Sequence, residues 1–179
     1  MSEQMPIPLR AEQAVLIRDL VMQSLKSEHP VTRRVIEAIP LDTGDFRPND
    51  VMKSAIDLAW HIVGAEHRFM EAVANGVFDF TNSGRPPELQ TSADVARWYA
   101  DTFPRDAERI GAMPVEALMK VVDFRGIFQL PAVAYLQTAQ MHSIHHRGQL
   151  SMYLRPMGAK VPAIYGESYD SAQAKKDRV

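Results

Sequence analysis

Apolar residues recur at helical spacing in four long stretches of the chain, which proline-, glycine- and polar-rich segments separate. In each stretch the apolar positions fall three or four residues apart, as they do on one face of an amphipathic helix. Pro30 suits either the first turn of a short second helix or a kink in the first helix, and Pro40 ends that region. The predicted helices cover residues 11–27 (with 30–39 as continuation or separate helix), 50–75, 91–111 and 131–155.

Residues at the ends of these stretches have the chemistry of helix boundaries. Asn49 or Asp50 can cap the second long helix, and Gly76 can end it in a left-handed conformation. Thr91 and Asp94 have the spacing of a capping box at the start of the third. A short helix over 114–119 and an irregular link over 120–130 are expected between the third and the last long helix.

We find no convincing strand alternation, internal repeat or low-complexity segment. Four long helices in 179 residues predict an all-α fold, an antiparallel four-helix bundle with extra short helices. We expect a flexible lead-in over residues 1–10, a single helical domain over 11–169 and a polar tail over 170–179.

Composition indicates which kinds of partner and which cellular location to expect for the protein. Twenty basic and 22 acidic residues give a net charge of -2, which does not favour binding to nucleic acid. No apolar run is long enough for a transmembrane helix, and the first residues do not resemble a secretory signal. The chain has no cysteine, so a transition metal would need His, Asp or Glu ligands, and a cytoplasmic location is expected.

Three histidines lie together in the last predicted helix. His142 and His146 are one turn apart, about 40° around the axis, so both imidazoles can reach one cation. A His142–His145 pair is geometrically less favourable. The same face carries Tyr153 and other residues that suit a partly buried surface. Spacing alone leaves two interpretations open: a metal site, or histidines hydrogen-bonded to neighbouring helices.

The helix predicted over 50–75 carries two further histidines and an acid near its start. His61 and His67 are separated by about 120° around the axis, so they cannot share one site. Asp57 lies one turn before His61 and can orient it from behind, or can be a helix-start carboxylate. Glu66 falls about 140° from His61 and should face elsewhere.

Two segments carry a resemblance to a known family. The sequence His-Ser-Ile-His-His-Arg-Gly-Gln over 142–149 resembles the His-x-x-x-His-Arg-Gly-Gln motif of the DinB/YfiT-like metal-binding helix bundles. The segment Asp-Leu-Ala-Trp-His-Ile-Val-Gly-Ala-Glu-His over 57–67 is similar to the motif on that family's second helix. The likeness extends from about Ala11 to Tyr169.

The resemblance implies a four-helix bundle, often a homodimer, in which three histidines hold a divalent metal ion. By position, these ligands are His61, His142 and His146. Three neutral imidazoles with an open fourth position are typical of a reactive site, and such ligands suit zinc or nickel. The candidates for second-sphere or substrate contacts are Asp57, Arg147, Gln149 and Tyr153.

Three functions follow as hypotheses. The family includes enzymes that use low-molecular-weight thiols, such as bacillithiol S-transferases and mycothiol-dependent maleylpyruvate isomerase, so the resemblance implies a metal-dependent transferase acting on a small electrophile. Hydrolysis by metal-activated water is a weaker version, because the ligand motif offers no evident general base. The alternatives are a non-catalytic metal- or ligand-binding or stress-related bundle without turnover, and a structural dimer. A salt bridge from Arg147 to another helix or to a dimer mate is expected ahead of a substrate contact.

Overall fold

Residues 9–177 are described by the structure, a computed structural model in which six helices and one small sheet follow one another. The first eight residues, which contain most of the expected lead-in, lie outside the described range, as do the last two. The elements are α1 (Ala11–Glu37), α2 (Ala55–Asn75), α3 (Ser92–Gly111), α4 (Val115–Met119), β1 (Val121–Phe124), β2 (Phe128–Pro131), α5 (Ala134–Leu154) and α6 (Tyr169–Lys176).

The expected helical bundle is confirmed, with α1, α2, α3 and α5 as its four long helices. Each packs on two others, in the cyclic order α1, α3, α2, α5. Side-chain contacts show that α2 and α5 run antiparallel, as do α1 and α3, whereas α2 and α3 run parallel, as do α1 and α5. Parallel neighbours require long connections, and the 76–91 loop between α2 and α3 is one of them.

The start of α2 differs from the predicted position at Asn49 or Asp50. Asn49 instead accepts hydrogen bonds at its Oδ1 from the backbone amides of Val51 and Met52 and so stabilises a separate turn. Ser54 is the N-cap, and its Oγ accepts from the amide of Asp57. Both residue types cap well, so the sequence left several candidate starts within five residues.

The predicted helix ends are mostly confirmed. Gly76 ends α2 with φ of 70°, where a side chain would also meet Lys120. Thr91 and Asp94 form the expected capping box of α3. Pro30 lies within a single continuous α1, so the residues on either side of it form one helix.

The prediction of an irregular link over residues 120–130 was wrong, because this segment forms a β-hairpin. Strands β1 and β2 pair antiparallel with Val121 opposite Pro131 and Phe124 opposite Phe128. Arg125 and Gly126 in the turn have φ of 55° and 69°, and Asp123 accepts from the amide of Gly126. Four-residue strands are too short to show a clear alternation, and arginine is not a residue that marks such a turn.

The C-terminal segment was expected to be a polar tail, and the structure forms the short helix α6 there. Ser168 caps it, and Asp170 accepts from Arg155 and from the amide of Val161, which holds it to the end of α5. Across residues 9–177, none of the helices combines the length and the apolar character that crossing a membrane requires.

Candidate metal centre

Three histidines from two antiparallel helices converge at one point of the bundle. His61 on α2 has its Nε2 3.1 Å from Nε2 of His142 and 3.3 Å from Nε2 of His146, both on α5. Nitrogen ligands about 2.0–2.1 Å from a tetrahedral ion stand about 3.3 Å apart. The residues therefore fit a divalent metal ion, and they form a geometrically competent ligand group.

The helices impose this arrangement through their spacing and their crossing. His142 and His146 are one turn apart on α5, so the two rings lie on one face with their centroids 4.4 Å apart. Packing of α2 against α5 then places His61 opposite both rings, at 4.8 and 4.6 Å between centroids. His145 points elsewhere and is exposed, as its angular position on the helix predicts.

The environment keeps these imidazoles neutral at neutral pH. Burial, followed by the nearby histidine and cationic groups, lowers the pKa of His61 to about 4. Burial and the other imidazoles lower the pKa of His142 to about 3, and burial also lowers the pKa of His146. Neutral imidazole is the form that binds a metal, so protons do not compete strongly for these nitrogens near pH 7.

Gln149 holds the ring of His146 in the tautomer that a metal requires. The Nδ1–H of His146 donates to Oε1 of Gln149 at 2.7 Å, because that oxygen can only accept. This leaves the lone pair of His146 on Nε2, which faces the other two rings. The amide nitrogen of Gln149 in turn donates to His145. Gln149, a candidate for a supporting contact, therefore lies directly behind the predicted ligand.

His142 is held by packing instead. Its Nδ1 is buried and has no hydrogen-bond partner within the described part of the chain. Its ring lies 6.2 Å from that of Phe69, which belongs to a larger group of aromatic rings. The two histidines of α5 in this cluster are thus oriented by different means.

Asp57 takes the helix-start role instead of a contact with His61. Its carboxylate accepts from Ser54 at 2.7 Å and from Arg85 at 2.9 Å. These hydrogen bonds outweigh the opposing effect of burial, the largest single influence, and the pKa of Asp57 is lowered. Asp57 is therefore an anchor for the 76–91 loop, which carries Arg85.

Arg147 makes the salt bridge to another helix that was expected ahead of a substrate contact. It is only 1% exposed, and its guanidinium donates to Glu28 and Thr32 of α1 and to the hydroxyl of Tyr165. The side chain therefore faces α1, opposite to the direction of its neighbour His146.

Tyr153, the last candidate, is buried and packs edge-on against Phe46, with 6.0 Å between ring centroids. Two cavities in the described structure are lined in part by His61, and Tyr153 lines neither of them. Helical periodicity placed it on the histidine face, but it lies two turns beyond the cluster.

A second group of side chains lies between α2 and α3, where ligand atoms of His67, Glu71 and Asp106 come within 4.8 Å of one another. Its acids already have partners. Asp106 accepts from Nδ1 of His67 at 2.7 Å, and Glu71 pairs with Arg109. We interpret this group as an ion-pair network between two helices.

Sequence reasoning missed the residues that surround the histidines. A cavity of about 340 Å³ opens beside His61 and His142. Four phenylalanines from α2, the 76–91 loop and β1 form its aromatic wall, and three cationic side chains accompany them. The wall consists of Phe69, Phe78, Phe80 and Phe124, and the cations are Lys53, Arg68 and Arg125. Only the Phe-x-Phe pattern at 78–80 could have hinted at this wall, and the missed hairpin contributes Phe124 and Arg125.

Comparison with known proteins agrees with this fold. The profile of the DinB family matches residues 11–178, nearly the whole chain. The chain belongs to the DinB family. The resemblance seen in the two histidine segments is thereby confirmed at the level of the family.

Proteins from two bacilli are similar to this chain. The uncharacterized protein YjoA of Bacillus subtilis (strain 168) is 29% identical over 142 residues, which cover 77% of this chain and 89% of YjoA. Its crystal structure, described as DinB-like, superposes with a TM-score of 0.67 at 25% identity over 83% of this chain and 99% of that one. A DinB-like protein from Bacillus cereus ATCC 10987 gives 0.69 at 23% identity over 81% and 95%, which shows a shared fold.

Proposed function

We propose that this DinB-family chain binds one divalent metal ion, zinc or nickel, through His61, His142 and His146, and acts as a metal-dependent transferase for a low-molecular-weight thiol. The convergence of the three side chains carries the proposal: Nε2 of His61 lies 3.1 Å from Nε2 of His142 and 3.3 Å from Nε2 of His146. Three protein nitrogens leave coordination positions for an exogenous group, as in catalytic zinc sites. When bound, such an ion would lower the pKa of a coordinated thiol and so supply a thiolate at neutral pH.

The chain's own residues would prepare the site for this chemistry. Gln149 fixes the tautomer of His146, and burial keeps the ligand nitrogens unprotonated. The cavity beside His61 and His142 offers an aromatic-walled volume for an electrophile. With an alkyl chloride as electrophile, the sulfur–carbon bond forms, the carbon–chlorine bond breaks, and chloride and the thiol proton leave.

The alternative is a non-catalytic protein that binds a metal ion or a ligand without turnover, with a role in stress as one version. Under either function, two acids of the α2 histidine segment are already engaged. Asp57 is held by Ser54 and Arg85, and Glu66 accepts hydrogen bonds from Tyr99 and Ser143. A general base for hydrolysis is therefore not evident among residues 9–177, which disfavours metal-activated water as the nucleophile.

Metal content is the first test. Tag-free protein is purified as the wild type, as His142→Ala/His146→Ala and as His145→Ala, and each is analysed for metals after dialysis at pH 7.5. We expect about one zinc or nickel ion per chain in the wild type and in His145→Ala, and none in the double variant. His145 is the matched control because it lies in the same helix segment but outside the cluster. Metal absent from the wild type after reloading contradicts the proposal.

Turnover is the second test. Metal-loaded protein is incubated with monochlorobimane and cysteine, bacillithiol or mycothiol in turn, and thioether fluorescence is followed. A rate above background with one thiol, retained by His145→Ala and lost in the double variant, supports the transferase. A stable metal site without turnover across the panel supports the alternative.

A further inference from the structure

The cavity beside the histidines combines an aromatic wall with a cluster of positive charge. Phe78 contacts the other three rings of this wall: its ring centroid lies 5.5 Å from that of Phe69, 5.6 Å from that of Phe80 and 5.0 Å from that of Phe124. The rings come from α2, the 76–91 loop and β1, so three separate segments contribute to one surface. A volume of about 340 Å³ is within the range of small-molecule sites.

The cations of this cavity have no carboxylate partner in the described structure. Lys53, Arg68 and Arg125 all line it, and within residues 9–177 none of them forms a salt bridge. Asp79 acts on Arg68 only through its charge, and its carboxylate accepts hydrogen bonds from Thr81. The described lining contains no acidic side chain, so the cavity is electropositive.

Two of these cations, Arg68 and Arg125, line the same cavity without an acid between them in its described lining. Burial, and then the charge of Arg125, lowers the pKa of Arg68. Arg125 is held in place by Phe80, whose ring centroid lies 3.8 Å from its guanidinium carbon. Neighbouring guanidinium groups without an acid between them are stabilised when an anion binds, and their planar donors suit a carboxylate.

We propose that this cavity binds a small carboxylate carried on a flat aromatic body, with the carboxylate at Arg68 and Arg125 and the ring against the phenylalanine wall. This inference deepens the proposed function, on which it rests for the reacting centre, because His61 and His142 also line this cavity. A compact inorganic anion would satisfy the charges but leave the aromatic wall uncovered. The ligand class is therefore an aromatic carboxylate.

Calorimetric titration with trans-cinnamate tests the ligand class. The comparison ligands are trans-cinnamamide, which has the same body without the charge, and acetate and inorganic phosphate, which have the charge without the ring. Each is titrated into metal-free and zinc-loaded protein. We expect cinnamate to bind at least about tenfold more tightly than each of the other three in both forms of the protein.

Variants test the assigned contacts. Arg68→Gln should weaken cinnamate binding about tenfold, which corresponds to one charge-assisted hydrogen bond. Arg68→Lys keeps the charge and should weaken it less than Arg68→Gln does. The matched control is Arg105→Gln, because Arg105 is exposed on α3 and, within residues 9–177, its side chain donates a hydrogen bond only to the backbone carbonyl of Asp101 in its own helix. Circular dichroism confirms that each variant is folded.

The outcomes separate this inference from the proposed function. Cinnamate binding that is selective and depends on Arg68 in the metal-free protein supports the inference even if zinc is never retained, a result that contradicts the metal site alone. Binding that occurs only with zinc and is unchanged in Arg68→Gln means that the carboxylate is a metal ligand, and this overturns the inference. Equal affinity for cinnamamide, acetate or phosphate overturns it as well, as does the absence of binding at millimolar cinnamate.

Discussion

At the scale of single residues, the histidine cluster depends on side chains that do not themselves point toward the metal position. Gln149 fixes one imidazole through a hydrogen bond of 2.7 Å, and Phe69 packs near another. Such supporting contacts set the direction of each lone pair, and the metal affinity of a site depends on that direction.

Gln149→Leu should therefore lower zinc affinity about 10–100-fold, because His146 loses the acceptor that keeps its Nδ1 protonated. Competition with a chelating indicator dye measures this at pH 7.5. His145→Ala removes the other contact of Gln149 and should leave the affinity within about threefold of the wild type. An unchanged affinity in Gln149→Leu would show that Gln149 has no positioning role.

The pKa of Glu66 is a second property of a single side chain that depends on its surroundings. It is 1% exposed, and burial raises its pKa to about 7, although Tyr99 and Ser143 donate hydrogen bonds that act in the opposite direction. The charge of Asp106 raises this pKa further and that of Arg147 lowers it. A raised pKa means that the folded protein holds this proton while the unfolded chain, with an ordinary value of 4.5, has lost it.

The stability of the wild type should consequently fall relative to Glu66→Gln as the pH rises from about 4.5 to 7, by on the order of 3 kcal/mol, and the difference should be constant above that range. Urea unfolding of both metal-free proteins between pH 4.5 and 8 measures the difference, in which other titrating groups largely cancel. A difference that does not vary with pH would place the pKa of Glu66 near its ordinary value.

At the scale of elements, polar contacts fix how the helices pair. Arg147 on α5 joins α1 through Glu28 and Thr32, and joins the segment before α6 through Tyr165. The hairpin is anchored differently, since the buried hydroxyl of Tyr135 donates to the carbonyl of Val122. These contacts connect segments far apart in the chain, so periodicity within one helix does not reveal them.

Replacing Arg147 by Met should destabilise the fold by about 3–5 kcal/mol, because Glu28 loses its charge partner and Thr32 a hydrogen-bond donor. The free energy of unfolding in urea is the measurement, with Arg105→Gln as an exposed control expected to stay within about 0.5 kcal/mol. Arg147→Lys should recover only part of the loss, since one ammonium group cannot reproduce the planar donor pattern. A loss below about 1 kcal/mol would mean that the network adds little to stability.

At the scale of the whole molecule, a metal ion at the three histidines would join α2 to α5. A ligand that binds only the folded state stabilises it by mass action, by about 2.7 kcal/mol at 100 times its dissociation constant. Homodimer formation, expected from the resemblance, stays a prediction that sedimentation equilibrium can measure.

Zinc should raise the thermal unfolding midpoint of the wild type and of His145→Ala, and a chelator should reverse the change. His61→Ala/His142→Ala/His146→Ala should show no such rise. Scanning calorimetry with and without a small excess of zinc chloride gives the comparison. A similar rise in the triple variant would place the bound zinc at another site, such as the group of His67, Glu71 and Asp106.

Features that depend on neighbours along the chain could be predicted from the amino-acid sequence. Helical spacing predicted the four long helices and placed His142 and His146 on one face, and Gly76 marked a helix end that the structure confirms. Local sequence was insufficient where several capping residues competed, as at Asn49 and Ser54. It also failed at the hairpin, whose strands are too short to show a period.

Contacts between residues far apart in the chain could not be predicted in this way, because they depend on how the elements pack. The position of His61 opposite His142 and His146 follows from the antiparallel packing of α2 on α5. Helical spacing does not predict this position, and only the family resemblance implied it. The aromatic wall, the cations Arg68 and Arg125 and the burial of Glu66 depend likewise on helix crossings and on the course of loops. Periodicity shows which face of a helix is buried, whereas the partner of that face is set by packing among all elements at once.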